Sequence, residues 1–96
     1  MQISIIQAPL FWENPEVNRN YFAAKIQNIP EETLLVVLPE MFTSGFTMNP
    51  HEVAEDMTGE TVEWMREIAL ERNIAIMGSA VIREQDNYFN RMLFVF

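Results

Sequence analysis

Glu40 follows an apolar run and a proline, in Leu34-Leu35-Val36-Val37-Leu38-Pro39-Glu40. A carboxylate at such a point can serve as a general base where burial raises its pKa toward neutrality. It can equally cap the loop or face water, as many structural carboxylates do. The segment after it, Met41 to Met57, is rich in Thr, Ser, Asn and Pro. Long loops in compact domains are commonly functional or disordered. Ser44 has no Gly-x-Ser-x-Gly elbow and no paired base, so it is not expected to be a nucleophile. His51-Glu52-Val53-Ala54-Glu55-Asp56 lacks the second histidine of His-Glu-x-x-His, so it reads as an acidic turn and no metal site is expected. The chain has no cysteine, which excludes disulfides, thiolate–zinc sites and a cysteine nucleophile within these residues. With glycine only at Gly45, Gly59 and Gly78, no phosphate-cradling loop can be assembled.

The elements that must position Glu40 can be read from apolar periodicity and its stop signals. Gln2 to Ala8 is isoleucine-rich and stopped by Pro9, which predicts a buried strand. Asn14-Pro15-Glu16 predicts a helix start: a cap, a proline suited to the first position, and an acid at the positive dipole end. Val17, Tyr21 and Ala24 recur at helical spacing, flanked by Phe22, Ile26 and Ile29. Pro30 is expected to end that helix. Thr33 to Leu38 is apolar enough to predict a strand buried on both faces, as in parallel sheets. Thr58 is the expected cap of a second helix, carried by Val62, Met65 and Ala69 and ending near Asn73. Ile74 to Arg83 and Tyr88 to Phe96 read as two strands joined by the polar turn Glu84-Gln85-Asp86-Asn87, a hairpin.

The order β-α-β-α-β-β gives an α/β fold with a mixed sheet, and the βαβ crossover is expected to be right-handed. Ligands gather at the carboxyl ends of strands in such sheets, and Glu40 falls at one. Two helices cannot cover both faces of an apolar sheet. The 96 residues are therefore expected to be the first part of a longer domain.

Leu38-Pro39-Glu40-Met41-Phe42-Thr43-Ser44-Gly45-Phe46 resembles the glutamate motif of the nitrilase superfamily, the carbon–nitrogen hydrolases. There a strand ends in Pro-Glu, followed by an aromatic, a glycine and a second aromatic, matched here by Pro39, Glu40, Phe42, Gly45 and Phe46. Ile3-Ser4-Ile5-Ile6-Gln7-Ala8-Pro9 is similar to the family's first strand. Asn18 lies in its first helix, and Ile76-Met77-Gly78-Ser79 matches its third strand. Phe89-Asn90-Arg91 falls where an aromatic-Asn pair commonly precedes the next strand. The wording Pro-Glu-Met-Phe-Thr-Ser-Gly-Phe is nearest to the ω-amidase branch, whose members hydrolyse the terminal amide of 2-oxo acids such as 2-oxoglutaramate.

The resemblance implies an α-β-β-α sandwich and a Glu-Lys-Cys mechanism without a cofactor. In that scheme Glu takes a thiol proton, the thiolate forms a thioester, and Lys stabilises the oxyanion. Only Glu40 carries over as a catalytic residue. Lys25, the sole lysine, sits mid-helix and does not match the motif. The chain as given is therefore expected to be inactive. Phe46 is a candidate wall of the substrate pocket, whereas Phe42 reads as a core residue. Asn90 is a candidate for orienting loop or substrate, or for pairing with backbone at the strand start. Gly45 is expected to supply a positive φ or close packing. Another amidase or a carbamoylase of the family is an alternative, as is a non-catalytic module binding a partner by its open sheet edge.

Composition narrows the partners. Hydrophobic residues make up 49%, enough for a core, and the net charge is −8, from 14 acidic and 6 basic residues. Nucleic acid and anionic membranes need Lys/Arg patches, so neither is expected. The first residues lack a basic region and are interrupted by Pro9, unlike a signal peptide. The longest apolar run, Leu34 to Leu38, is too short to span a bilayer. A cytoplasmic protein acting on a small-molecule amide is expected, and family members commonly dimerise, so the resemblance implies a homo-oligomer.

Overall fold

Asn14 and Pro15 do what their residue types dictate. Pro15 takes the first position of helix α1 (Pro15–Ile26), where its missing N–H costs nothing, and Asn14 accepts from the Val17 amide at 3.2 Å. The computed structural model describes residues 1–96. Its other elements are β1 (Gln2–Ile5), β2 (Thr33–Val37), a single-turn helix α2 (Pro50–Val53), α3 (Glu60–Arg72), β3 (Ala75–Glu84) and β4 (Asn87–Val95). One sheet contains all four strands in the order β1-β2-β3-β4. β2 pairs parallel with β1 and with β3, whereas β3 and β4 pair antiparallel, from Ile76 opposite Val95 to Glu84 opposite Asn87. This is the expected α/β fold with a mixed sheet. Its hairpin turns at Gln85, which has φ 57°.

The core lies on one face of the sheet. Phe22 and Ile26 of α1, with Val62, Met65 and Ala69 of α3, pack on Val36, Leu38, Ile76, Ala80, Ile82 and Leu93. Alternate strand residues share a face, which is why the even-numbered positions of β3 enter this core. Fully burying a side chain such as Phe22 or Ile76 stabilises the fold by roughly 1.5–3 kcal/mol. The other face presents Ile3 and Ile5 beside Leu35 and Val37, then Met92 and Phe94 opposite Ser79 and Met77. Ile3, Ile5, Met92 and Phe94 are all exposed.

Several expectations are corrected. The first strand is Gln2–Ile5, not Gln2–Ala8, and it is an edge strand with its isoleucines exposed. Its ladder extends only one residue further, through Ile6 N–H to the Val37 carbonyl at 2.9 Å. β2 is not buried on both faces. Leu35 and Val37 are half-buried on the uncovered side, and Leu34 is exposed in a groove beside the last turn of α3. Helix α1 ends at Ile26 rather than at Pro30, the next residues forming turns onto Lys25 and Ile26. Its buried stripe is Asn18, Arg19, Phe22 and Ile26, not Val17, Tyr21 and Ala24, because two partnered polar residues occupy the inner face.

The cap of α3 is Gly59, not Thr58. Thr58 instead donates its backbone N–H and hydroxyl to Asp56. The stripe Val62, Met65 and Ala69 is buried as expected, and Asn73 ends the helix in the left-handed region, at φ 54°. No helix is long and apolar enough to cross a membrane.

Candidate active site

Beyond β2 the chain leaves the sheet gradually, and Glu40 sits at that departure. The Leu38 amide still donates to the Met77 carbonyl of β3, at 2.8 Å. Pro39 offers no donor. At Met41 the backbone has drawn far enough away that its N–H meets the buried Ser79 hydroxyl instead of a carbonyl, at 2.7 Å. The Phe42 amide then donates to the Ser79 carbonyl at 3.1 Å. Met41 has φ 51°, a left-handed conformation uncommon outside glycine. One helical turn follows, closed by the amides of Ser44 and Gly45 donating to the Met41 carbonyl.

Met41, Phe42, Thr43, Ser44 and Gly45 are all buried, whereas Glu40 and Phe46 at the two ends are exposed. The motif is thus a buried turn that presents its two end residues outward. Phe42 anchors it, edge-on to Phe22 at 5.9 Å and tilted on Trp64 at 5.8 Å. The ring lies on Gly78, where a Cβ would come within 2.9 Å of it. Gly45 has φ 76°, and a Cβ there would lie 3.1 Å from the Trp12 ring. Both the positive φ and the close packing expected of Gly45 are present.

Two further ties come from α1 and the segment before it. The Glu13 amide donates to the Ser44 carbonyl at 2.9 Å. Asn18 is fully buried in α1 and uses both donors and its acceptor oxygen. Its Nδ2 donates to the carbonyls of Phe11 and Thr43, both at 2.7 Å, and its Oδ1 accepts from the Phe11 amide at 2.8 Å. Glu13 also accepts from the Thr47 hydroxyl and, at 3.4 Å, from Asn49.

The far end of the loop is held by charge. Arg19 donates to Glu55 at 3.3 Å, to Glu60 at 2.9 Å and to the Thr61 hydroxyl at 3.1 Å. Glu55 accepts from the Thr61 amide and hydroxyl, so it supplies the anionic cap that Gly59 cannot. Its backbone bridges β3, donating to the Val81 carbonyl and accepting from the Arg83 amide. The exposed Asp56 carboxyl is held below its usual range by the Thr58 hydroxyl and amide, with a lesser contribution from Arg83.

The predicted site residues separate as follows. Glu40 and Phe46 bracket one turn. Asn90 lies on β4 opposite Val81, and Val81 packs with Met41 and Val53. Register therefore puts Asn90 at the same end of the sheet as Glu40, on the face over which Met41 packs, exposed and without a hydrogen bond. The Ser44 hydroxyl donates to the Gly45 carbonyl and is buried. His51 faces only Glu52, at 3.9 Å. Lys25 lies over the Tyr21 ring, 5.5 Å from its centre. The sequence reading missed the polar residues that hold the turn, Asn18, Arg19, Glu55 and Ser79. One signal was available for Ser79, a lone hydroxyl inside the apolar strand Ile74–Val81.

The chain is similar in sequence to the omega-amidase YafV of Yersinia enterocolitica, 34% identical over 95 residues, which is 99% of this chain and 36% of that protein. It is also 34% identical to the omega-amidase YafV of Escherichia coli strain K12, again across 99% of this chain and 36% of the relative. It thus spans about a third of the length of the curated relatives it matches. Among solved structures it is similar to XC1258 from Xanthomonas campestris, a CN-hydrolase superfamily protein with an arsenic adduct in its active site. The TM-score is 0.91 and the identity 41%, over 97% of this chain and 35% of that one. The carbon-nitrogen hydrolase family model matches residues 2–96. A strand-end glutamate on a buried turn, within a sheet that follows a solved member this closely, belongs to a chain of the carbon-nitrogen hydrolase family.

Proposed function

We propose that residues 1–96 form the N-terminal part of an amidase that hydrolyses the terminal amide of a 2-oxo acid, with Glu40 as general base. The observation that carries this reading is the turn Met41–Gly45, buried throughout while Glu40 projects from its start. The 34% identity with two omega-amidases supports the substrate class. Phe46 and Asn90, at the same end of the sheet, are assigned to the substrate pocket. In the proposed reaction the Glu40 carboxylate accepts the proton of a cysteine thiol. The thiolate attacks the amide carbonyl, a lysine stabilises the oxyanion, and ammonia leaves. Water then hydrolyses the thioester and releases the acid. Neither the cysteine nor the matching lysine lies within residues 1–96, so this segment alone has no turnover.

The test uses the complete protein that carries this segment and 2-oxoglutaramate as substrate. Glu40→Gln should preserve the fold and lower the rate of thioester formation by about 10²–10⁴-fold, the range for a lost general base. Acylation at the normal rate, followed by mass spectrometry of the thioester, would exclude Glu40 as the base.

A further inference from the structure

We propose that Ser79 is a positioning residue that sets the direction of Glu40, an inference that rests on the reading of Glu40 as the base. Ser79 lies on β3 and is 2% exposed. It holds two consecutive amides of the turn, Met41 through its hydroxyl at 2.7 Å and Phe42 through its carbonyl at 3.1 Å. The first of these bonds acts on the peptide plane that joins Glu40 to Met41. Holding that plane limits the ψ angle open to Glu40, and with it the directions its Cα–Cβ bond can take relative to the sheet.

The side chain itself is exposed and without a hydrogen bond or ion pair of its own. The aim of the carboxylate is therefore set through the backbone on either side of it. Pro39, immediately before Glu40, has its own φ locked by its ring. The following residue holds a left-handed φ of 51°, a strained conformation that persists only where surroundings enforce it. Ser79 supplies the enforcing contact at the Met41 amide, and no other side chain bonds that amide. The bulk of a serine matters as well, because Val81, two positions on and on the same face, packs directly on Met41.

The experiment uses the complete protein, at a temperature well below its unfolding transition. Ser79→Ala removes the acceptor and should lower kcat by about 100-fold, the scale of a misplaced catalytic group, with KM nearly unchanged. Ser79→Thr keeps the hydroxyl and should restore most of the rate. Ser79→Cys, close in shape but a weak acceptor, should behave like Ser79→Ala, and it decides the question if Ser79→Ala does not fold. In a Glu40→Gln background the Ser79 substitutions should have no further effect on kcat, because the serine acts through that carboxylate. Folded Ser79→Ala or Ser79→Cys with the parent kcat overturns the proposal, as does an undiminished Ser79 effect in the Glu40→Gln background. The control separates the two readings. An active Glu40→Gln protein removes the base assignment itself, whereas an inactive one beside a fully active Ser79→Ala removes only the role of Ser79.

Discussion

Asn18 spends two donors and one acceptor on backbone groups of Phe11 and Thr43. The amide is irreplaceable there because the two carbonyls and one N–H need opposite polarities from one planar group. Asn18→Asp keeps the shape but turns a carboxylate oxygen toward both carbonyls. It should destabilise the complete protein by about 3 kcal/mol or more, the cost of unpaired and charged buried groups, read as a lower unfolding temperature. An unchanged transition would show that these bonds do not hold the turn. The strand end that carries Glu40 was legible because Pro39 and the change from apolar to polar residues mark it. The contacts of Asn18 and Ser79 were not: a helical Asn faces water as often as not, and the lone hydroxyl of an apolar strand marks Ser79 without naming its partner. Their partners Thr43 and Met41 stand 25 and 38 positions away, beyond the reach of any local pattern.

At the scale of elements, the loop from Met41 to Met57 is organised at both ends by helix α1. Asn18 holds its start, and Arg19, the next residue, holds Glu55 near its end. Glu55 in turn caps α3 through its carboxylate and bridges β3 through its backbone, so one residue joins three elements. Arg19 and Glu55 are largely buried, with side chains 11% and 20% exposed, whereas Glu60 is 84% exposed. The Glu60 contact is thus a surface pair of small worth, and Glu55 is the partner that matters. Glu55→Ala leaves the guanidinium without its buried anion and uncaps α3. It should cost roughly 3 kcal/mol, near the low end for breaking a buried pair, whereas Glu60→Ala should cost less than about 1 kcal/mol. Equal effects of the two, measured by denaturant unfolding of the complete protein, would contradict this ranking. The helix and strand types were readable from periodicity. The inner stripe of α1 was misplaced because Asn18 and Arg19 are polar, and burial of a paired polar residue leaves no apolar signature. Thr58 was misread as a cap for the same reason: the capping carboxylate stands six residues before Thr61.

At the scale of the molecule the sheet has one face covered by helices and one apolar face covered only where Met41 and Val53 pack on Val81. Ile3, Ile5, Met92 and Phe94 are 49%, 67%, 60% and 51% exposed, a grouping typical of interaction surfaces in proteins that stay soluble. The family's α-β-β-α layering stacks a second sheet on such a face, and the relatives are nearly three times longer than the matched segment. Covered and uncovered states make opposite predictions for one substitution pair. In residues 1–96 expressed alone, the face should drive self-association and binding of a hydrophobic dye, and Met92→Lys with Phe94→Lys should shift sedimentation toward monomer. In the complete protein the same pair would carry charge into a buried interface and should destabilise it by several kcal/mol. A monomeric, cooperatively unfolding segment would contradict the first half. A complete protein indifferent to the two lysines would show that this face stays open to solvent, and that the second sheet packs elsewhere.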